Sequence, residues 1–559
     1  VRKLRLDLFA ALCIPYLLLV HRFWFVTDDA FISFRYARNF ARGLGLRFNI
    51  GDQPPVEGYS NFLWVMICSI FEFFRMDIEL WPPLVSSACG IILLWLVFDT
   101  IRRRLELPTA AAAAATTTLG CFPPLAVWSS GGLATAPFAL LIFITFERLV
   151  LRKNQAAGVA AGVAALLLAL LRLEGVAWAA VIIVLCIISR RMARQFKLRP
   201  VLVCALIVGI GYGIYFYWRY SYYESPLPNT AYAKAALDGP RLMRGFNYVF
   251  SFGLTFLTPF LLLPVSFVAL RKKRRAVGLA VAAMAWAFPA YAVLVTGDFM
   301  AMGRFLIPGL AFASILLAWA LTDLWGKSRF RRTATVVGML GVIALGLLPG
   351  WDVHLTPLSV REAFRFRHNA PKFKSEFAKW QAQAVNTAEW TRSGKALRDY
   401  AAQRLADVPN VSYVASGMGA RGYYSELYIY DRYGLIDRRV ARRAVDADEP
   451  MRSAGHDKRV LKEYFLDDCP TILQAAVIKS ANGSMLINAC RREAAMMRSS
   501  EASSPIQHFY VVDFALVPAD EPENDPQYII TWTRIPDGVD YRKSWADLER
   551  RLRATTGNR

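Results

Sequence analysis

Residues 6–29 read LDLFAALCIPYLLLVHRFWFVTDD, and this stretch decides how the rest of the chain is read. Its first ~20 residues are nearly all apolar, long enough at ~1.5 Å per residue to cross a ~30 Å hydrocarbon layer. Two adjacent carboxylates, Asp28 and Asp29, follow where such a helix leaves the bilayer, and Arg2, Lys3 and Arg5 precede it. A basic flank, an apolar run and an acidic exit form the pattern to look for downstream.

The apolar run recurs near 81–101, 108–127, 133–150, 155–171, 174–189, 200–218, 247–270, 276–296, 305–325 and 333–350. With 6–25 these predict a polytopic α-helical membrane protein of about 11 transmembrane helices. The basic clusters at 2–5, 102–104, 148–153, 190–199, 271–275 and 327–332 then share one face. The positive-inside bias makes that face cytoplasmic. The expected location is the plasma (inner) membrane, multi-pass, with the N-terminus cytoplasmic. An odd number of crossings puts the C-terminal part on the extracytoplasmic (periplasmic) side.

Segment 60–76 is also apolar. As a span it would put the 102–104 cluster outside and invert every later loop. As an interfacial helix it keeps the clusters together, so 26–80 is expected to be one long first outer loop. After residue 351 the apolar runs stop and charge becomes dense. The chain therefore divides into a transmembrane catalytic domain, 1–350, and a soluble extracytoplasmic α/β domain, 351–559. In the latter, β-rich runs at 411–415, 428–430, 509–516 and 528–532 accompany helical stretches such as 362–405.

The net charge of +23 does not mark a nucleic-acid binder, because many of the basic residues sit in short clusters between apolar runs. There is no glycine-rich phosphate loop, no dinucleotide fingerprint and no zinc spacing. No metal site is predicted, and a divalent cation cofactor is left open. Cys469 and Cys490 lie in the outer part, where a disulfide is permitted, and form a candidate bridge.

The remaining polar residues gather on the outer side. The first loop carries Asp28, Asp29, Arg35 and Tyr36, then Glu57 and Tyr59. Later outer turns carry Trp128, Arg172 with Glu174, Asn229 with Lys234, and Asp298 with Arg304 in the stretch from Gly297 to Arg304. A charge at membrane depth costs roughly 2.5–3.5 kcal/mol or more, so such groups face a cavity or each other. An outward-opening membrane cavity suits a sugar carried on a polyprenyl phosphate, whose tail stays in lipid. The leaving phosphate needs cationic partners: Arg304 and Lys234 first, then Arg35 and Arg172. The acceptor hydroxyl needs a base, which Asp28 or Asp29 supplies. Glu57, Tyr59 and His456 are expected to support the base or the acceptor. Asn229, Asp298, Glu174, Tyr36 and Trp128 are expected to line the same cavity. In the outer domain, Tyr423, Tyr424 and Ser425 are candidates for acceptor contact.

Asp28-Asp-Ala-Phe-Ile-Ser-Phe-Arg-Tyr-Ala-Arg-Asn39, with Gly43, Gly45 and Val56-Glu-Gly-Tyr-Ser-Asn61, resembles the GT-C class of polyprenyl-phosphate-dependent glycosyltransferases. More closely, it is similar to the mycobacterial terminal β-(1→2)-arabinofuranosyltransferase family. The resemblance continues through Pro228-Asn-Thr230, Lys234, Gly297-Asp298, Gly303-Arg-Phe305 and the outer stretch from Tyr423 to His456. It implies a decaprenylphosphoryl-arabinofuranose donor, a cell-wall polysaccharide acceptor (an arabinan end) and catalysis by the first-loop aspartates. It also implies a role in building arabinogalactan or lipoarabinomannan. A GT-C transferase using another sugar, such as mannose, is a second reading. A transporter or flippase of a lipid-linked sugar is a third, and it should show repeat symmetry and broken mid-membrane helices.

Overall fold

A computed structural model describes residues 2–557 except 53, 153–154, 195–196, 235–236, 272–273, 369, 446–448, 480–482, 500–505 and 519–525. Lys153, Lys272 and Lys273 of the basic clusters lie outside the described residues. The first part is helical: α1 (Arg2–Arg22), α2 (Asp28–Ala41), α3 (Phe62–Phe73), α4 (Trp81–Asp99), α5 (Thr109–Gly120), α6 (Pro123–Ser130), α7 (Thr135–Phe146) and α8 (Gln155–Leu171). It continues with α9 (Gly175–Met192), α10 (Leu198–Tyr223), α11 (Asn229–Tyr232), α12 (Gly239–Phe256), α13 (Leu262–Ser266), α14 (Arg275–Leu294), α15 (Ile307–Leu324) and α16 (Arg329–Leu347).

Among the described residues six helices are long and apolar enough to cross a membrane, or eight if two bent pairs each count as one span. The chain is a multi-pass membrane protein. Its most exposed long helices, α10 and α16, show why: Ile210, Ile214, Val337 and Leu340 are all more than half exposed, so this apolar surface suits lipid rather than water. Two segments expected as single runs are broken. Pro123 and Pro124 follow α5 and turn α6 by 57°, and Leu257-Thr258-Pro259 turns the chain after α12 by 101°. Proline lacks the N–H that would continue the ladder and clashes with the preceding turn. α3, with 12 residues, is only ~18 Å long and cannot span ~30 Å.

Three of the basic clusters meet in space, and a fourth gathers on a separate carboxylate. Arg104, Arg148 and Arg152 converge on the buried carboxylate of Glu147, and Arg190 donates to the carbonyls of Leu149 and Arg152 at 2.7 Å. Arg271 and Arg274 share Asp323, near the 327–332 cluster.

Beyond α17 (Leu358–Ala363) the long helix α18 (Glu376–Arg404) runs between the membrane part and a mixed five-stranded sheet. Ser375 caps it by accepting the Ala378 N–H. Trp380 packs edge-on against Phe23 and Phe25 at the end of α1, while Tyr400 near the other end hydrogen-bonds Asp513 and Thr533 of the sheet. The strands are β1 (Ser412–Ala415), β2 (Tyr428–Asp431), β3 (Ile472–Lys479), β4 (Tyr510–Val517) and β5 (Gln527–Arg534), in the order β2-β1-β3-β5-β4. β1 is parallel to both neighbours, whereas β5 is antiparallel to β3 and β4. Four of these strands match the predicted β-rich runs. β3 does not, since its Ala475-Ala476 centre lacks the β-branched alternation that marks a strand. Val512, Ile530 and Trp532 build a second core behind the sheet.

The crossover from β1 to β2 is α19 (Gly419–Ser425), which docks directly on α2. The approach is close: a Cβ on Gly419 would stand 1.9 Å from the Asp28 carbonyl oxygen. Gly419→Ala is therefore expected to destabilise by about 1–3 kcal/mol through overpacking, read as a lowered Tm in detergent. Gly209→Ala, where the added methyl meets nothing, is expected to leave Tm unchanged or slightly raised.

The candidate disulfide does not form. Cys490 is buried in the second core while Cys469 is exposed in the turn before β3, and both thiols are free.

Candidate functional site

Where the start of α2, the α11 turn, the loop before α15 and α18 meet, they enclose a cavity of ≈ 350 Å³. Asp28, Asp29, Tyr59, Arg172, Lys234, Asp298, Arg304 and His456 all line it. The outer-face charges predicted from separate loops thus share one chamber. Val295, Leu133, Ala134 and Phe305 add an apolar side to it.

The two aspartates differ. Asp28 accepts the backbone N–H groups of Ala420 (2.7 Å) and Gly419 (3.3 Å), at the N-terminus of α19. It clamps the sheet-bearing part onto α2. Asp29 has no hydrogen-bond partner among the described residues. Burial pushes its pKa up to about 7; Arg304 opposes the rise, and Asp28 and Asp298 add to it.

Arg304 begins α15's first turn. Gly303 precedes it at φ +60°, and a side chain there would meet Phe252 at 2.4 Å. The preceding loop is held from outside the membrane part. Glu376 accepts the Met302 N–H at 2.6 Å, Gln383 accepts the Ala301 N–H at 3.2 Å, and Arg367 donates to the Phe299 and Met300 carbonyls. Arg304 Nε lies 2.9 Å from Asp298 Oδ2 without hydrogen-bond alignment, and its guanidinium sits over Trp128 and Phe305. Its remaining donors have no protein partner among the described residues. Arg172 is tethered to Glu174 at 2.6 Å. Lys234, exposed to the cavity, makes no hydrogen bond among the described residues.

His456 is wedged edge-on between Phe299 (4.4 Å) and Tyr433 (4.5 Å). Burial pushes its pKa down to about 4, so the imidazole is neutral at pH 7. The next residue, Asp457, forms a buried pair with Arg244 of α12 at 2.9 Å, which fixes the His456 loop to the membrane helices.

Other predicted cavity residues stand behind the wall. Arg35 is a brace: its guanidinium donates to the carbonyls of Phe48 (2.9 Å), Gly422 (2.6 Å) and Leu427 (2.7 Å), leaving little for a phosphate. Glu57 pairs with Arg219 of α10 at 2.6 Å, both fully buried. Tyr36 accepts the Gly58 N–H and donates to the Val56 carbonyl, shaping the loop that presents Tyr59. The Tyr59 hydroxyl itself bonds Tyr223. Trp128 is wholly buried, donating to the Ala301 carbonyl from beneath Arg304. Glu174 stands behind Arg172 and also attracts Lys234, and Asn229 holds the Gly434 and Leu435 carbonyls. Tyr423, Tyr424 and Ser425 are not offered to this cavity. Tyr423 and Tyr424 bond Glu72 and Glu79 and pack on Phe31, and Ser425 is buried in the α19 joint. A residue type suited to sugar contact was here used for docking one part on another.

Sequence reasoning missed the contribution of α18. Lys379, Gln383, Asn386, Thr387 and Trp390 line the cavity from a single helical face. The 4-3-1-3 spacing of these polar groups is the signal that could have found them. Burial, with Arg367 and Lys374 nearby, pushes the Lys379 pKa down to about 8. Among the described residues no group of three or more His, Cys, Asp or Glu stands close enough to hold a metal ion.

No protein-family model and no curated protein matches the chain. Solved structures share its fold, among them two of one protein. ArnT from Cupriavidus metallidurans in the apo state superposes with a TM-score of 0.53 at 15% identity, covering 95% of this chain and 98% of that one. The same protein bound to undecaprenyl phosphate gives 0.52 at 14% identity with the same coverage. The architecture is therefore the GT-C fold.

Proposed function

We propose that this GT-C-fold chain is a glycosyltransferase that moves a sugar from a polyprenyl phosphate to a glycan hydroxyl at the outer face of the membrane. The observation that carries the reading is one chamber holding an unpartnered carboxylate, Asp29, together with Arg172, Lys234 and Arg304. A fold shared with a protein solved with undecaprenyl phosphate supports a polyprenyl-phosphate donor. The convergence of the basic clusters around Glu147 and Asp323 supports a cytoplasmic placement for that end. We further propose eleven crossings, an outer domain from residue 351, arabinofuranose as the sugar and an arabinan end as acceptor; the first-loop sequence supports the last two.

In the reaction, the acceptor hydroxyl oxygen attacks the anomeric carbon and the carbon–oxygen bond to the phosphate breaks. The bonding pair leaves on the phosphate oxygen, where Arg304 and Lys234 offset the developing charge. The hydroxyl proton passes to Asp29, and from there to water after product release. Asp28 keeps Asp29 in place through the α19 clamp. His456, neutral, offers a hydrogen bond without competing for the proton.

A base with a pKa of about 7 must be ionised to accept a proton. Activity is therefore lost as pH falls below 7 and is full above it. log(kcat/KM) is expected to rise with unit slope and level off near pH 7. In Asp29→Asn that limb should vanish from the residual rate. A wild-type profile flat from pH 5 to 8 would remove Asp29 from the role of base.

A further inference from the structure

The cavity has two chemically distinct walls. Arg172, Lys234 and Arg304 supply one, which is cationic. The other comes from α18 and the turn after β1, and from Gln383 onward it carries no charge: Gln383, Asn386, Thr387, Trp390 and Ser416. Residues 383, 386, 387 and 390 fall at i, i+3, i+4 and i+7, one stripe about 10 Å long. The Asn386 amide, the Ser416 hydroxyl and the Trp390 indole N–H have no hydrogen-bond partner among the described residues. Gln383 commits its oxygen to the Ala301 N–H and keeps its amide hydrogens. Thr387 donates to the Gln383 carbonyl and keeps its lone pairs. This set offers both donors and acceptors beside an aromatic ring, the chemistry that reads hydroxyl groups on an apolar frame.

The stripe also has the right neighbour. Asp28 bonds the N–H groups of Gly419 and Ala420, two to four residues past Ser416 and Gly417. Trp390 rests against Gly417, where an added Cβ would come within 3.0 Å of the indole. Asp29, next to Asp28, also feels the field of Arg304. The base thus lies at the seam between the cationic and the neutral wall.

Resting on the transferase reading, we infer that the neutral wall of Gln383, Asn386, Thr387, Trp390 and Ser416 is the acceptor subsite, which takes an uncharged, hydroxyl-rich sugar end. The subsite sits on α18 and not at the Tyr423–Tyr424 turn. The donor phosphate stays on the cationic wall, so the two substrates meet at Asp29.

The test is steady-state kinetics on the full chain in lipid nanodiscs. The probes are a synthetic polyprenyl-phosphate arabinofuranose and a neutral arabinofuranosyl disaccharide acceptor. Asn386→Ala and Trp390→Ala should each raise the acceptor KM about tenfold, the loss of one to two good hydrogen bonds or a ring contact. The donor KM should move less than about twofold, within ordinary variation. Trp390→Phe, which keeps a ring, should recover most of the acceptor KM, and melting curves exclude a folding defect. An unchanged acceptor KM, or an equal rise in donor KM, overturns the subsite. Absence of wild-type turnover would instead count against the transferase reading. In that case saturation-transfer NMR of the disaccharide still tests the wall, and equal binding to wild type and Asn386→Ala overturns it.

Discussion

Asp29→Asn is expected to reduce kcat by 10²–10⁴-fold, the range typical for loss of a positioned general base, while the protein still folds and inserts. The substitution is isosteric and removes the negative charge and with it the capacity to take a proton. No hydrogen bond that holds the fold is lost, because the Asp29 carboxylate makes none among the described residues. Asp28→Asn makes the contrast. One amide oxygen can still accept from Ala420, but the second contact, to Gly419, and the negative charge at the α19 N-terminus are lost. That variant should lower Tm as well as rate. A larger kinetic loss at Asp28 than at Asp29, with unaltered melting, would reverse the two roles.

Arg304→Gln carries the second large expectation, a loss of about 10²–10³-fold in kcat, the scale seen when one donor to a developing anion is removed. Glutamine keeps hydrogen bonding but not charge or the forked geometry, and Arg304→Lys should recover only part of the rate. The loss should fall on kcat more than on donor KM, because charge on the phosphate grows toward the transition state. The control is Arg35. It comes from the same helix as the aspartates, α2, yet its guanidinium donates to three backbone carbonyls. Arg35→Gln should therefore reduce Tm and expressed yield with no specific kcat defect in the folded fraction.

That pair of arginines shows what the sequence could and could not tell. Hydropathy and the sidedness of basic clusters are properties of local runs, so the helical membrane architecture and the gathering of Asp29, Lys234 and Arg304 in one chamber were readable. Which charges face solvent was not, because that depends on partners hundreds of residues away. Arg35 finds Gly422 and Leu427, Glu57 finds Arg219, and Asn229 finds Gly434. Each looked like a site residue for the same reason, a polar group near a catalytic-looking motif, and each turned out to tie two parts of the chain together. The α18 stripe failed in the opposite way. Gln, Asn and Thr on a long polar helix look like solvated surface until the helix is seen lying across the cavity. Tyr423 and Tyr424 were read as sugar-binding rings, but α19 uses them to seal the joint with α2.

The most direct measurement follows both halves of a radiolabelled donor. Purified protein in sealed proteoliposomes receives decaprenylphosphoryl-arabinofuranose and the neutral disaccharide acceptor, and the products are separated by chain length. A labelled trisaccharide and one equivalent of free decaprenyl phosphate are expected, both formed about 10²–10⁴-fold more slowly with Asp29→Asn. Intact donor moved between leaflets by wild type and Asp29→Asn alike, with no new glycosidic bond, would contradict the transferase reading.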